Sequence, residues 1–182
     1  MGSKFVMSDP GLCIGCKTCM AACLAKHDVT GDVARARLNL VTTLSVSTPI
    51  ACHHCEAAPC APVCPTHALY RDGDRIAVRT ENCIGCRSCV MACPYGAVDV
   101  ITSDVTARLG NLAVRDVAHA IVIKCDLCVD RTQGPACVQG CPTGALRLVD
   151  SDEIEAEALR RRREAAAVSA EFSSLPLAGA QA

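Results

Sequence analysis

The chain of 182 residues is long enough for one or two small domains, carries a formal net charge of −1, and is 51% apolar with only 2% aromatic residues and no tryptophan. That charge offers no broad basic footprint for nucleic acid, and no apolar run approaches the ~20 residues that span a membrane as a helix. A core so short of large anchors needs another organiser, and the 16 cysteines supply one, because metal binding contributes folding free energy directly.

The N-terminal MGSKFVMSDPGLC has no apolar signal region and no twin arginine. It points to a cytoplasmic protein with reduced thiols, not to a secreted disulfide scaffold. The first cysteine run follows at once as CIGCKTCMAAC, with Cys13, Cys16, Cys19 and Cys23. RLNLVTTLSV (37–46) reads as a strand. The second run, CHHCEAAPCAPVC, holds Cys52, Cys55, Cys60 and Cys64. ALYRDGDRIAVRT (68–80) alternates about an Asp-Gly-Asp turn and predicts a hairpin. The third run, CIGCRSCVMAC, holds Cys83, Cys86, Cys89 and Cys93, and AVDVIT (97–102) after it reads as a short strand. The fourth run, CDLCVDRTQGPACVQGC, holds Cys125, Cys128, Cys137 and Cys141, with the strand-like ALRLVD (145–150) after it. No cysteine lies outside the four runs. Three runs end alike, in CPTHAL, CPYGAV and CPTGAL, whereas the first ends in CLAKHDV without the proline.

DSDEIEAEALRRRREAAAV (150–168) opens with acids and closes on Arg160–Arg163, an order that complements a helix dipole. Its apolar positions Ile154, Ala158, Leu159 and Ala165 form one candidate face, and SSLPLAGAQA reads as a tail. An isolated helix of this length is marginal in water, so it needs a surface, either the chain's own or a partner's.

The chemistry is carried by the spacing. The third run is C-x2-C-x2-C-x3-C-P, the bacterial ferredoxin signature, in which three thiolates wrap one cubane and the fourth serves another. Crossing the fourth cysteines of the second and third runs gives Cys52, Cys55, Cys60 with Cys93, and Cys83, Cys86, Cys89 with Cys64. The first and fourth runs are left to pair by elimination, giving Cys13, Cys16, Cys19 with Cys141, and Cys125, Cys128, Cys137 with Cys23. Structural zinc, bound by C-x2-4-C pairs, is the alternative, but it leaves the third cysteine of the first and third runs without a role. His53 and His54 lie inside the second run and could be ligands, but the thiols already complete every set. Packing near a cluster, or an N–H to sulfur, is the plainer expectation for them. Lys17 and Arg87 occupy one slot in the two copied runs, where a cation could raise a cluster's potential or simply face solvent.

Four runs in this order, with CHHCEAAPCAPVCP and KCDLCVDRTQGPACVQGCP, resemble the four-cluster electron-transfer subunits of molybdopterin oxidoreductase complexes. The likeness is nearest to formate hydrogenlyase small subunits and formate-dehydrogenase-associated ferredoxin proteins. Those small subunits tend to carry a Pro-rich insertion between the third and fourth runs, where this chain has the compact SDVTARLGNLAVRDVAHA (103–120). The resemblance implies four 4Fe–4S clusters and an α+β fold of two nested ferredoxin-like modules, and it supports the outer pairing. The outer module spans 1–51 and 99–150, the inner 52–98, and a C-terminal helix and tail occupy 151–182. The sequence holds no nucleotide fingerprint and no nucleophile constellation, so the chain reads as a non-catalytic carrier. Its expected role is to move electrons between a molybdenum or tungsten formate dehydrogenase-type subunit and a hydrogenase or further iron–sulfur subunit. A maturation protein for such enzymes and a freely diffusing ferredoxin are the alternatives.

Overall fold

A computed structural model describes residues 2–27 and 35–173. The elements are short, and most of the chain between them is turn. Four two-stranded antiparallel sheets carry the structure. β1 (Lys4–Ser8) pairs with β8 (Leu146–Asp150), so the first and last strands of the chain close on each other, with Val6 opposite Leu148. The other three sheets are local hairpins: β2 (Asn39–Thr42) with β3 (Ser47–Ile50), β4 (Leu69–Asp72) with β5 (Arg75–Val78), and β6 (Asp99–Leu109) with β7 (Leu112–Ile123). Short helices α1 (Thr18–Lys26), α2 (Ser88–Ala92) and α3 (Ala136–Gln139) sit inside the first, third and fourth cysteine runs. The longest helix, α4 (Ser151–Ser173), follows β8 without a break. The α+β class expected from the sequence is therefore observed.

The expected hairpin at 68–80 forms, with Gly73 at φ 61° in its turn, where a side chain would be strained. The strand expected at 37–46 forms only over Asn39–Thr42. Thr43 interrupts it: its N–H donates to the Val46 carbonyl at 2.8 Å, and its Oγ1 accepts the Val46 N–H at 3.2 Å. A hydroxyl that satisfies local backbone competes with the ladder and turns the chain. The strand expected at 97–102 begins at Asp99 and runs on to Leu109, paired in register with β7. The helix expected over 150–168 extends to Ser173, and residues 174–182 of the expected tail lie outside the described residues.

Two buried clusters form the core, and cysteines belong to both. The first gathers Val6, Leu38, Leu127 and Leu146 with Cys19, Cys23, Cys52, Cys125 and Cys137. The second gathers Leu69, Ile76, Val98, Val100 and Val122 with Cys60, Cys64 and Cys89. Cys93 packs against both. Phe5, His53 and Tyr95 stack in one column, with ring centroids 4.7 and 3.9 Å apart, and so tie β1 to the second and third runs. Among the described residues no helix is long and apolar enough to cross a membrane.

Candidate metal centres

Each run begins with the same backbone device. The residue two places after the first cysteine has positive φ in all four: Gly15 (70°), His54 (47°), Gly85 (75°) and Leu127 (63°). The turn carries the chain back so that the next thiol faces the first. Glycine does this without strain, and His54 and Leu127 are held there by burial. In the two copied runs Lys17 and Arg87 are left-handed as well, at φ 62° and 59°. Their carbonyls accept the first amides of α1 and α2, from Met20 at 3.0 Å and Val90 at 3.0 Å. Both side chains are exposed, so what this slot supplies to the fold is a helix start.

All sixteen thiols are free of disulfides. Cys13, Cys16, Cys19 and Cys141 line one small cavity, and Cys64, Cys83, Cys86 and Cys89 line another. The other eight thiols declare their neighbours electrostatically. Burial pushes the Cys137 thiol up to about 12, and nearby Cys23 and Cys128 push the same way. Burial pushes Cys125 up to about 12, with Cys137 adding to it. Burial pushes Cys60 up to about 11, with Cys52 and Cys93 adding to it. Such thiols resist ionisation until a soft cation compensates them, which is what a metal cluster does. The fourth cysteine of each run stands beside thiols of a different run.

Amide hydrogens converge on these sulfurs. Cys64 accepts from Ala68 N–H at 3.2 Å and Cys93 from Ala97 N–H at 3.4 Å, each through the Pro-containing tail after its run. Cys52 accepts from His54 N–H at 3.5 Å and Cys125 from Leu127 N–H at 3.4 Å, each from the left-handed residue. At Cys64 burial opposes ionisation, but such donors together outweigh it and lower the pKa, and at Cys125 the Leu127 N–H opposes the rise that burial causes. Among the described residues His27, Asp126 and Cys128 each bring one ligand atom within 4.8 Å of the others.

The chain matches two families described as 4Fe–4S dicluster domains, over residues 12–69 and 43–151. The chain belongs to the 4Fe–4S dicluster family. Its relatives include the electron transport protein HydN of Escherichia coli K12, 42% identical over 90% of this chain and 98% of that protein. Formate hydrogenlyase subunit 2 of the same organism is 39% identical, with 89% of each chain covered. Hydrogenase-4 component A is 34% identical, with 96% of each covered. The chain is thus a ferredoxin-type iron–sulfur electron-transfer protein with four 4Fe–4S clusters, and its sixteen cysteines match that number.

Three further features surround the thiols of the dicluster protein. Lys124 is 2% exposed, and its Nζ donates to the carbonyls of Ile76 at 2.5 Å and Cys125 at 2.8 Å. Burial lowers its pKa, opposed by the thiols of Cys52, Cys125 and Cys60, so it stands between thiols of the second and fourth runs. His54 is fully buried, and its Nδ1 accepts the Ile76 N–H at 3.0 Å, so its ring serves β5. His53 lies between Phe5 and Tyr95 in the stack. The third feature is the group around His27, Arg37 and Asp126. Nothing in composition or spacing marks these residues, because each meets its partners only after the first and fourth runs come together.

Proposed function

We propose that the chain is a non-catalytic, cytoplasmic relay between a formate dehydrogenase-type molybdenum or tungsten subunit and a hydrogenase or further iron–sulfur subunit. The names of the formate hydrogenlyase and hydrogenase-4 relatives support the partner class. The observation that carries the relay reading is the arrangement of thiols from end to end. Cys16 and Cys86 are exposed, each beside an isoleucine that faces solvent, Ile14 at 69% and Ile84 at 66%, whereas the thiols between are mostly buried. A carrier needs two accessible ends and a shielded middle.

The ligand sets in this reading are Cys13, Cys16, Cys19 with Cys141; Cys23 with Cys125, Cys128, Cys137; Cys52, Cys55, Cys60 with Cys93; and Cys64 with Cys83, Cys86, Cys89. When bound, 4Fe–4S clusters supply four one-electron centres. The chain holds the sulfurs, excludes water from the inner sets and directs amide hydrogens at them. Shared elements order the sets: α1 carries both Cys19 and Cys23, and α3 carries Cys137 and is followed closely by Cys141. The sets follow two nested modules, the outer built from 1–51 and 99–150 and the inner from 52–98, with α4 and the tail (151–182) beyond. The pairing of β1 with β8 supports that nesting.

The test is ligand replacement in anaerobically purified full-length protein, read by EPR. Cys141→Ser is expected to disturb the same cluster signal as Cys13→Ser, and Cys64→Ser the same signal as Cys83→Ser. If Cys141→Ser instead matched Cys125→Ser, the crossover would be wrong. Anaerobic co-purification with a large molybdenum or tungsten subunit supports the relay. Recovery only with apo-enzyme intermediates would favour a maturation role.

A further inference from the structure

We propose that His27, braced by Asp126 and Arg37, is a positioning residue that sets the potential of one centre by donating its Nδ1–H to the Cys23 sulfur. The proposal rests on the reading above that Cys23, Cys125, Cys128 and Cys137 share a cluster. The fourth cysteine of a run usually takes its amide from the turn after it. Ala68 serves Cys64, Ala97 serves Cys93, and the amides of Leu146, Thr143 and Ala145 with the Thr143 hydroxyl serve Cys141. Cys23 has no proline tail, and α1 continues past it to Lys26. Two other donors replace the turn. The Arg37 amide donates to Cys23 Sγ at 3.3 Å, and His27 Nδ1 lies 3.5 Å from that sulfur and 3.0 Å from the Cys23 carbonyl.

On the far side of the ring, His27 Nε2 lies 3.1 Å from both carboxylate oxygens of Asp126. The ring thus bridges Asp126 to the Cys23 carbonyl and sulfur. Asp126 is anchored in turn by Arg37 Nη1 at 2.6 Å and by the Cys128 N–H at 3.0 Å. Burial opposes its charge, but that amide, Arg37 and His27 together hold its carboxyl below the usual carboxylate range. The network thus touches the Cys23 thiol and the Cys128 amide, two residues of one set, and the His27 side chain is only 11% exposed. An N–H aimed at a ligand sulfur stabilises the extra negative charge of the reduced centre and raises its potential.

EPR-monitored redox titration of the anaerobic full chain tests this. His27→Leu removes the donor, and one midpoint of the four is expected to fall while three stay. His27→Gln, which can return an N–H, is expected to restore part of the shift. The moved signal must be the one lost in Cys125→Ser. If Cys23→Ser and Cys125→Ser disturb different signals, the ligand reading fails, whatever His27 does. If they disturb the same signal and His27→Leu leaves all midpoints at wild-type values, the proposal is overturned and the ligand reading stands. Should His27→Leu lose iron, wild-type protein with ring-15N histidine decides by pulsed EPR. A 15N coupling on the Cys125-dependent signal, replaced by a 14N coupling in ring-unlabelled protein, supports the bond, and its absence overturns it.

Discussion

His54 shows how a single side chain can be asked for two things at once. Its backbone must be left-handed to turn the second run, and its ring must fill space beside Ile76 and accept that residue's amide. Burial, then Lys124, lowers its pKa from 6.5 to about 3, so the ring is neutral in the folded protein. The unfolded chain takes up a proton near pH 6.5, and the folded chain does so only near pH 3. Stability from this site is therefore complete above pH 6.5 and is lost as pH falls toward 3. His54→Gln keeps an acceptor for Ile76 and removes the titration. It is expected to cost about 1–2 kcal/mol at pH 7.5, the usual loss on weakening one buried hydrogen bond. Denaturant midpoints at pH 7.5 and 5.5 check the sign, since the wild type should lose more than the variant on acidification. Gly85 is the complementary case. An added Cβ there meets Ala120 Cβ at 3.1 Å and must keep φ 75°, so Gly85→Ala is expected to cost about 1–2 kcal/mol. A thermal melt of the anaerobic protein measures it, and an unchanged melting temperature would contradict the turn argument.

Among the elements, those that could be read beforehand were those with their own turn chemistry. The 68–80 hairpin was legible because Asp72-Gly73-Asp74 marks it, and α4 because its acids precede its arginines. The four cysteine runs stood out by their spacing, whereas the pairing of the first run with the fourth rested on elimination and on resemblance. The splitting of 37–46 at Thr43 was hidden, because a threonine suits a strand and a turn equally well until the turn is seen. β1 was hidden too, since KFVMS has no local partner and becomes a strand only against Leu146–Asp150. The long β6–β7 hairpin lay half outside the expected strand, yet its base is what the core uses: Val100 and Val122 are buried in the second cluster. No cysteine lies within 99–123. Replacing 103–119 by a tight Asn-Gly turn keeps the pairs from Asp99↔Ile123 to Thr102↔Ala120. Iron is expected to remain near four clusters' worth per chain in that variant. Loss of the Cys83-dependent signal would show instead that the outer arms of the hairpin hold the fold.

At the scale of the whole molecule, the chain's two ends close a structure that its clusters organise from within. Ser151 N–H donates to the Ser3 carbonyl at 3.0 Å, and Ser3 N–H donates to Ser151 Oγ at 2.8 Å, so the start of α4 clasps the start of β1. The first turns of α4 then lie over the β1–β8 sheet, with Ile154, Ala158 and Arg161 facing Met7 and Val149 across a shared cavity. Beyond Arg161 the described side chains of α4 are exposed through Ala170. Exposed ion pairs support this helix locally, Arg160 with Glu157 at 2.7 Å and Arg161 with Glu157 at 2.8 Å, and such pairs add only tenths of a kcal/mol each. The two halves of α4 should therefore respond differently to truncation. Removing 162–182 takes away side chains that are exposed through Ala170 and the exposed Arg160–Glu164 ion pair, and is expected to leave iron near full and the melting temperature nearly unchanged. Removing 151–182 breaks the clasp and uncovers the sheet that joins the first and fourth runs. That loss is expected to fall on the signals that depend on Cys13 and Cys125, while those that depend on Cys52 and Cys83 persist. Equal loss of all four signals would mean that the two cores, which share Cys93 and the Phe5–His53–Tyr95 column, unfold as one unit.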